Sequence, residues 1–395
     1  MHDAPETRTV YLDHAATTPM HPEAIEAMTA HLAEAGNPSS LHASGRTARR
    51  VVEESRESIA QALNCRPSEI VFTSGGTEAD NLALKGLLWS RRDGDPARVR
   101  VLVSAVEHHA VLDAVHWLAE QEQAEVELLP VDSRGLLDVD AMRATIARDP
   151  GSVAVISVMW ANNEVGTIQP IEQVVAAAAP HGIPVHTDAV QAVGAVPVDF
   201  AASGVDALTL TGHKLGGPFG VGALVLRREL TLTPLLHGGG QERDIRSGTL
   251  DMPAIAGFAT AVERAVKAQP EYADRMAALR DDLVRRVTQV VPDAHVHGDL
   301  EQRLPGNAHI GFPGCEGDSL LMLLDAGGIE CSTGSACSAG VPQPSHVLLA
   351  MGCDAEGARH SLRFTLGRTT TEADIDAVVE AIGPAVERAR GARIP

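Results

Sequence analysis

Ala207-Leu208-Thr209-Leu210-Thr211-Gly212-His213-Lys214 begins as an apolar run and ends in an amine. Residues 207–210 have the length and composition of a buried strand, and the polar groups follow at its carboxyl end. The same layout recurs upstream. Residues 184–186 lead into Thr187-Asp188-Ala189-Val190-Gln191, and 153–159 into Asn162-Asn163-Glu164-Val165-Gly166. Residues 101–103 lead to Glu107-His108-His109, and 70–72 into Thr73-Ser74-Gly75-Gly76-Thr77. Amphipathic stretches at 47–63, 110–121, 139–147 and 171–179 lie among these runs. Strands alternating with helices predict βα units and a largely parallel sheet covered on both faces. Ligands of such sheets sit at the carboxyl ends of the strands, where this chain carries its polar signals.

Beyond about residue 256 the rhythm changes. A long helical stretch at 254–290 is interrupted by Pro270. Shorter strands follow at 308–312, 328–332 and 361–365, and a last helix at 371–390. The expected class is α/β, with a large domain at 17–256 and a smaller α+β domain formed by 1–16 and 257–395. A chain of 395 residues fits two such units and buries enough surface to fold without a disulfide or a metal. Aromatic residues are 3% of the chain, so the core must be mostly Val, Leu, Ile and Ala.

Acidic residues outnumber basic ones 52 to 32, a net charge of −20. So negative a body repels phosphate backbones and argues against a direct nucleic-acid partner. No apolar run approaches the roughly 20 residues of a spanning helix. Residues 1–12 lack the apolar core of a signal peptide, so the expected location is the cytoplasm, with no membrane partner. The five cysteines, Cys65, Cys315, Cys331, Cys337 and Cys353, are odd in number and widely spaced, with no CxxC. In a cytoplasmic chain they read as thiols, and no metal site is expected.

Only three lysines, Lys85, Lys214 and Lys267, stand against 29 arginines. A Schiff base needs an amine that can lose its proton, which a guanidinium does not provide. Lys214 alone reads more plainly as a strand-end ion pair; its neighbours change that. Asp188, at another strand end, can hold a pyridinium nitrogen protonated, although alone it would be a helix cap. Gln191 can donate to a phenolic oxygen. Gly75-Gly76-Thr77 before a helical run lets backbone amides approach a phosphate; by itself it is a strand–helix turn. His108 can stack on a flat ring or move a proton, and Asn163 stands at a fifth strand end. Together these strand ends suit pyridoxal phosphate better than a dinucleotide, which would require Gly-x-Gly-x-x-Gly at the first strand.

Taken in order, several segments resemble the NifS/IscS-type cysteine desulfurases, within the class V aminotransferase-like, fold-type I pyridoxal-phosphate enzymes. They are Tyr11-Leu12-Asp13-His14-Ala15-Ala16-Thr17-Thr18-Pro19, the segments quoted above, Arg246-Ser247-Gly248-Thr249, Ser332-Thr333-Gly334-Ser335-Ala336-Cys337 and Ser361-Leu362-Arg363-Phe364. The resemblance implies a large domain with a mostly parallel seven-stranded sheet. It makes Lys214 the lysine that carries the cofactor, with Asp188 on the ring nitrogen, Gln191 on the ring hydroxyl and His108 over the ring. Gly76, Thr77, Thr211 and His213 then surround the phosphate. The residue matching Thr249 reaches the phosphate held by the other subunit, which implies a homodimer. Asn163 and Arg363 match residues that bind the substrate carboxylate, and Cys337 matches the cysteine that receives sulfur.

The implied reaction converts L-cysteine to L-alanine and leaves a persulfide on Cys337. That sulfur would serve an iron–sulfur scaffold or a tRNA-thiolation enzyme. A selenocysteine lyase or another class V aminotransferase is the alternative within enzymes; a non-catalytic sulfur carrier is the alternative outside them. Cys331 is open as a second sulfur site or a metal partner of Cys337. Two departures stand out. Phe219 takes a place where many relatives carry Lys, and the chain ends at Pro395, short of a tail with which some relatives dock a scaffold protein.

Overall fold

The apolar runs become strands and the amphipathic stretches become helices. The computed structural model describes residues 9–334 and 344–391. Among these the strands are β1 (Val10–Tyr11), β2 (Ile70–Thr73), β3 (Arg100–Ser104), β4 (Glu125–Leu129), β5 (Val153–Ser157) and β6 (Val185–Asp188). They continue with β7 (Ala207–Thr211), β8 (Gly222–Leu226), β9 (His295–Val296), β10 (Asn307–Gly311), β11 (Ile329–Glu330) and β12 (Ser361–Thr365). The main sheet has seven strands in the order β2-β8-β7-β6-β5-β3-β4. The ladders from β4 through β3, β5 and β6 to β7 are parallel. β8 runs antiparallel to both β7 and β2.

β4 and β8 are additions to the sequence reading. β4 is an edge strand whose Glu125 and Leu128 face solvent, so its apolar signal is diluted. β8 follows β7 with no intervening helix, so it breaks the βα rhythm by turning straight back.

Successive residues of the central strands enter opposite cores. Ile70 and Phe72, Leu102, Ile156, Leu208 and Leu210 point to one face with Phe258 and Val262. Val71, Val101 and Val103, Val155 and Leu224 point to the other, against Leu84, Leu87 and Val115. This period of two, with both faces apolar, is the mark of a sheet buried between helix layers. A third cluster gathers Leu12, Leu283, Ile310, Phe312, Phe364 and Ile382 around the antiparallel sheet β12-β10-β9. There His309 pairs with Arg363. β1 pairs in parallel with β11, which carries the amino-terminal segment into this part of the fold.

The interruption expected at Pro270 does not occur: one helix runs through it from Met252 to Val290. Its buried residues fall into two groups, 252–262 against the first core and 276–287 against the third. Pro270 lies between them at an exposed position. The carbonyl that loses its partner there is not sealed in a core, which keeps the cost of the proline low.

The approach to Arg246 and Thr249 is fixed by an ion pair. Arg56 grips Glu242 with two nitrogens, at 2.7 and 2.9 Å, and both side chains are buried. Glu242 also accepts the Phe72 N–H at 2.7 Å. The pair holds Glu242, Arg243 and Asp244 at φ of 47°, 59° and 64°, a left-handed run that non-glycine residues seldom adopt. Removing Glu242 strands a buried guanidinium. Glu242→Ala is therefore expected to cost about 3–5 kcal/mol, read from the urea midpoint. Glu53→Ala, at the half-exposed side of the same arginine, should cost under about 1 kcal/mol.

Candidate active site

β3, β5, β6 and β7 run the same way, and β2 joins them because β8 reverses twice. Their carboxyl ends therefore meet at one edge of the sheet. A cleft of about 370 Å³ opens there. Every predicted cofactor- and substrate-binding residue except Thr249 lines it.

One end of the cleft suits an anion. Gly75 caps the helix Gly76–Gly94 at φ 152° and ψ −176°, and no side chain caps that terminus. Only glycine adopts such a conformation readily, and the first-turn N–H groups are left for a ligand. A Cβ on Gly76 would come within 3.1 Å of Val190, so the backbone approaches the cleft closely. Thr77 lies in the first turn of that helix, and Thr211 and His213 stand at and after the end of β7. Burial, then the Lys214 charge, lowers the His213 imidazole to about 4. Its ring stacks on Phe219 at 5.5 Å, so the Phe that departs from the family pattern sits at the rim, 68% exposed.

The middle of the cleft holds the proton-bearing groups. Asp188 closes β6 and accepts the Val190 N–H at 2.9 Å. Lys214 donates to the carbonyls of Ala15 and Ala16, the second at 2.6 Å. Burial, then the Arg363 charge, lowers its ammonium to about 8. Gln191 donates to the Ala15 carbonyl at 2.9 Å. His108 caps the helix His109–Glu122, its Nδ1 accepting the Ala110 N–H at 3.1 Å. Burial, then Lys214, lowers this imidazole to about 4, so it is neutral near pH 7.

The far end carries Arg363, from β12, and Asn163. The arginine donates to the Asn163 carbonyl at 2.9 Å and to Asp13 at 2.7 Å. Its Nε is buried and has no partner among the described residues. Thr249 is exposed and away from the cleft. Its neighbour Arg246 reaches back to Glu78, at 2.7 Å, in the first turn of the helix beside the anion end. Cys337 lies outside the described residues. The thiol of Cys331 is pushed up to about 12, chiefly by burial. Among the described residues no group of three or more His, Cys, Asp and Glu is arranged to hold a metal ion. No helix among them is long and apolar enough to cross a membrane.

Residues 10–378 match the family model for aminotransferase class-V. The chain belongs to the class-V aminotransferase family. Within this family it is 58% identical, over 97% of its length and 98% of the relative's, to an IscS-like cysteine desulfurase of Mycobacterium tuberculosis. It is 44% identical to the cysteine desulfurase NifS of Azotobacter vinelandii, over 96% of this chain and 93% of that one. Among solved class-V structures, a NifS-like protein superposes with a TM-score of 0.89 at 35% identity, covering 96% of this chain and all of that one.

Class-V enzymes of the IscS/NifS kind use pyridoxal phosphate, and the cleft fits that group. It offers an uncapped helix terminus for the phosphate, a buried carboxylate for the ring nitrogen, and an imidazole and an amine between them.

Several residues of the class-V cleft escaped the sequence reading as participants. Asp13, quoted only as part of a motif, orients Arg363. Glu164 accepts a bond from Ser345 at 2.5 Å, and His346 contacts the Glu107 carbonyl at 2.9 Å. Asp80, on a helix, lines the cleft and is buried, and Glu107, in a turn, is buried behind it and accepts the N–H of the lining residue Met159. Glu107 and Glu164 stood in quoted strand-end segments without a role of their own, and a strand-end rule does not find Asp13, Asp80 or His346, which come from other elements. One pH dependence follows from Lys214. Its neutral amine is the form that attacks an aldehyde. The rate at which apoprotein captures pyridoxal phosphate, followed by absorbance, should rise about tenfold per pH unit and level off above about 8.

Proposed function

We propose that this chain is a pyridoxal-phosphate-dependent cysteine desulfurase that moves sulfur from L-cysteine to Cys337 and releases L-alanine. The observation that carries the reading is one cleft in which an amine, Lys214, and a buried carboxylate, Asp188, stand opposite an arginine, Arg363. When bound, pyridoxal phosphate supplies an electron sink for negative charge at the substrate Cα. The protein supplies the rest. Thr77, Thr211, His213 and the amides after Gly75 hold the phosphate. Asp188 keeps a proton on the ring nitrogen, and Gln191 stands beside the ring hydroxyl. His108, neutral and locked as a helix cap, offers a flat ring surface.

Arg363 holds the substrate carboxylate, and Asn163 fixes the arginine through its carbonyl. The free Nε and the planar fork of Arg363 suit a carboxylate. Lys214 Nζ moves the α-proton, a task eased by its lowered proton affinity. Cys337 acts as a thiolate. Its sulfur bonds to the substrate sulfur as the Cβ–S bond breaks, and the electron pair stays on the carbon fragment, which is protonated to alanine.

The larger unit, 17–256, carries Lys214 and Asp188 in this reading; the smaller, 1–16 and 257–395, carries Arg363 and Cys337. The enzyme works in the cytoplasm as a homodimer, with Thr249 of each subunit serving the phosphate of the other. The exposure of Thr249, and the tether of Arg246 to Glu78 beside the anion end, support that arrangement. The persulfide passes to an acceptor protein of iron–sulfur assembly or tRNA thiolation.

The test is to quantify alanine and sulfide after L-cysteine and a reductant are added to the protein. The wild type should give the two in equal amounts. Cys337→Ser should keep the cofactor absorbance yet give almost no sulfide; full-rate sulfide from it would remove Cys337 from the mechanism. Lys214→Ala should lose the absorbance of the lysine-bound cofactor. Arg363→Lys keeps the charge but loses the fork, and should raise KM for cysteine more than it lowers kcat.

A further inference from the structure

Three carboxyl groups are buried together at the cleft: Asp188 and Asp80 line it, and Glu107 lies behind the lining residue Met159, whose N–H it accepts. Asp188 ends β6, Asp80 stands on the helix Gly76–Gly94, and Glu107 lies in the turn after β3; their exposures are 6%, 1% and 0%. Asp188 acts electrostatically on both of the others, and Glu107 on Asp80. Three negative charges cannot coexist so close in a low-dielectric pocket.

The surroundings decide which one keeps its charge. Asp188 accepts a backbone N–H and faces the Lys214 ammonium. Glu107 receives one N–H, from Met159 at 2.6 Å, and its Oε2 is buried without a partner among the described residues. Asp80 Oδ1 is likewise buried without a hydrogen bond among the described residues, and the Thr209 hydroxyl is the one group that favours its charge, against burial and the charges of Asp188 and Glu107. His186 stands 3.5 Å from it, but that ring is engaged by Ser157 and Thr209 at 2.9 and 3.0 Å. Burial lowers His186 to about 3, so it brings no positive charge. His108 is neutral for the same reason. From the remaining side, His346 meets the Glu107 carbonyl, not its carboxyl group, and Glu164 is held by Ser345.

We propose that Glu107 and Asp80 are positioning residues that work as neutral acids, leaving Asp188 the one carboxylate beneath the ring site. This rests on the cofactor reading above, since a cationic ring nitrogen calls for one matched anion. Glu107 and Asp80 touch neither substrate nor ring in this scheme; they act through Asp188. A charge on Glu107 would place a second anion beside Asp188 and disturb its hold on the ring proton.

Glu107 is the group to test. Burial, then the Asp188 charge, raises it from 4.5 to about 8. An acid raised on folding binds a proton in the folded state that the unfolded chain has released. The folded protein therefore loses stability as pH rises from 4.5 to about 8, and the loss is complete above that. Glu107→Gln mimics the neutral acid and cannot ionise. Unfolding of wild type and variant is compared by urea titration of the holoprotein between about pH 5 and about pH 9. The ratio of their folding constants should move towards the variant by up to about tenfold per pH unit and level off above about pH 8.

A variant weakened by the same factor at every pH would show Glu107 ionised throughout and overturn the proposal. Should the variant not fold, infrared difference spectra of wild-type protein carrying carboxyl-labelled glutamate give the answer. A protonated carboxyl band that persists at neutral pH and vanishes in alkali supports the proposal; its absence at neutral pH overturns it. Neither readout involves cysteine turnover, so each stands whether or not the desulfurase reading survives.

Discussion

Parallel pairing from β4 to β7 is the constraint on which the molecule depends. Parallel neighbours need crossover helices, and those helices occupy both faces of the sheet. The faces are then closed to ligands, and the carboxyl edge is the place left open. Because β8 reverses direction twice over, β2 also ends at that edge and brings the Gly75-Gly76-Thr77 turn to it. Phosphate cradle, carboxylate and amine thus arrive from the ends of three separate strands, β2, β6 and β7.

Burial at that edge sets the electrostatics. Loss of water lowers His108, His213 and Lys214 and raises Glu107 and Asp188. The cleft is therefore a place where amines and imidazoles give up protons easily, and where an acid keeps its proton unless a backbone N–H and a cation hold its charged form, as they do for Asp188. A carbonyl cofactor needs a deprotonable amine, so the same dryness that shields the chemistry also prepares the nucleophile. The cost of a dry polar site is offset by fixed partners: Ala15 and Ala16 carbonyls for Lys214, a backbone N–H for Asp188, a helix terminus for His108.

The site is completed from the other cluster. Arg363 comes from β12, inside the antiparallel sheet, and is aimed by Asp13 from the amino-terminal segment and by the Asn163 carbonyl from the main sheet. The helix Met252–Val290 enters both cores, so one continuous rod joins the core under the main sheet to the core of the sheet that carries Arg363. Its proline sits at an exposed position between the two buried stretches, where a missing hydrogen bond is cheap.

The sequence by itself determined the α/β class, the strands that carry Asp188 and Lys214, and most of the cleft residues. Apolar runs of four or five residues and the polar groups after them are local signals, and the motif segments kept their order along the chain. What it left undetermined depended on contacts far apart in sequence. Edge strand β4 lacked a clean apolar pattern, and β8 lacked a helix before it. The unbroken course of the helix through Pro270 depended on which of its residues were buried. Asp80, Glu107 and Asp13 looked like a helix residue, a turn residue and a motif residue. Only the tertiary structure, by burying Asp80 and Glu107 near Asp188 and setting Asp13 against Arg363, decided their partners, because desolvation and Coulomb energy depend on separation in space and not along the chain.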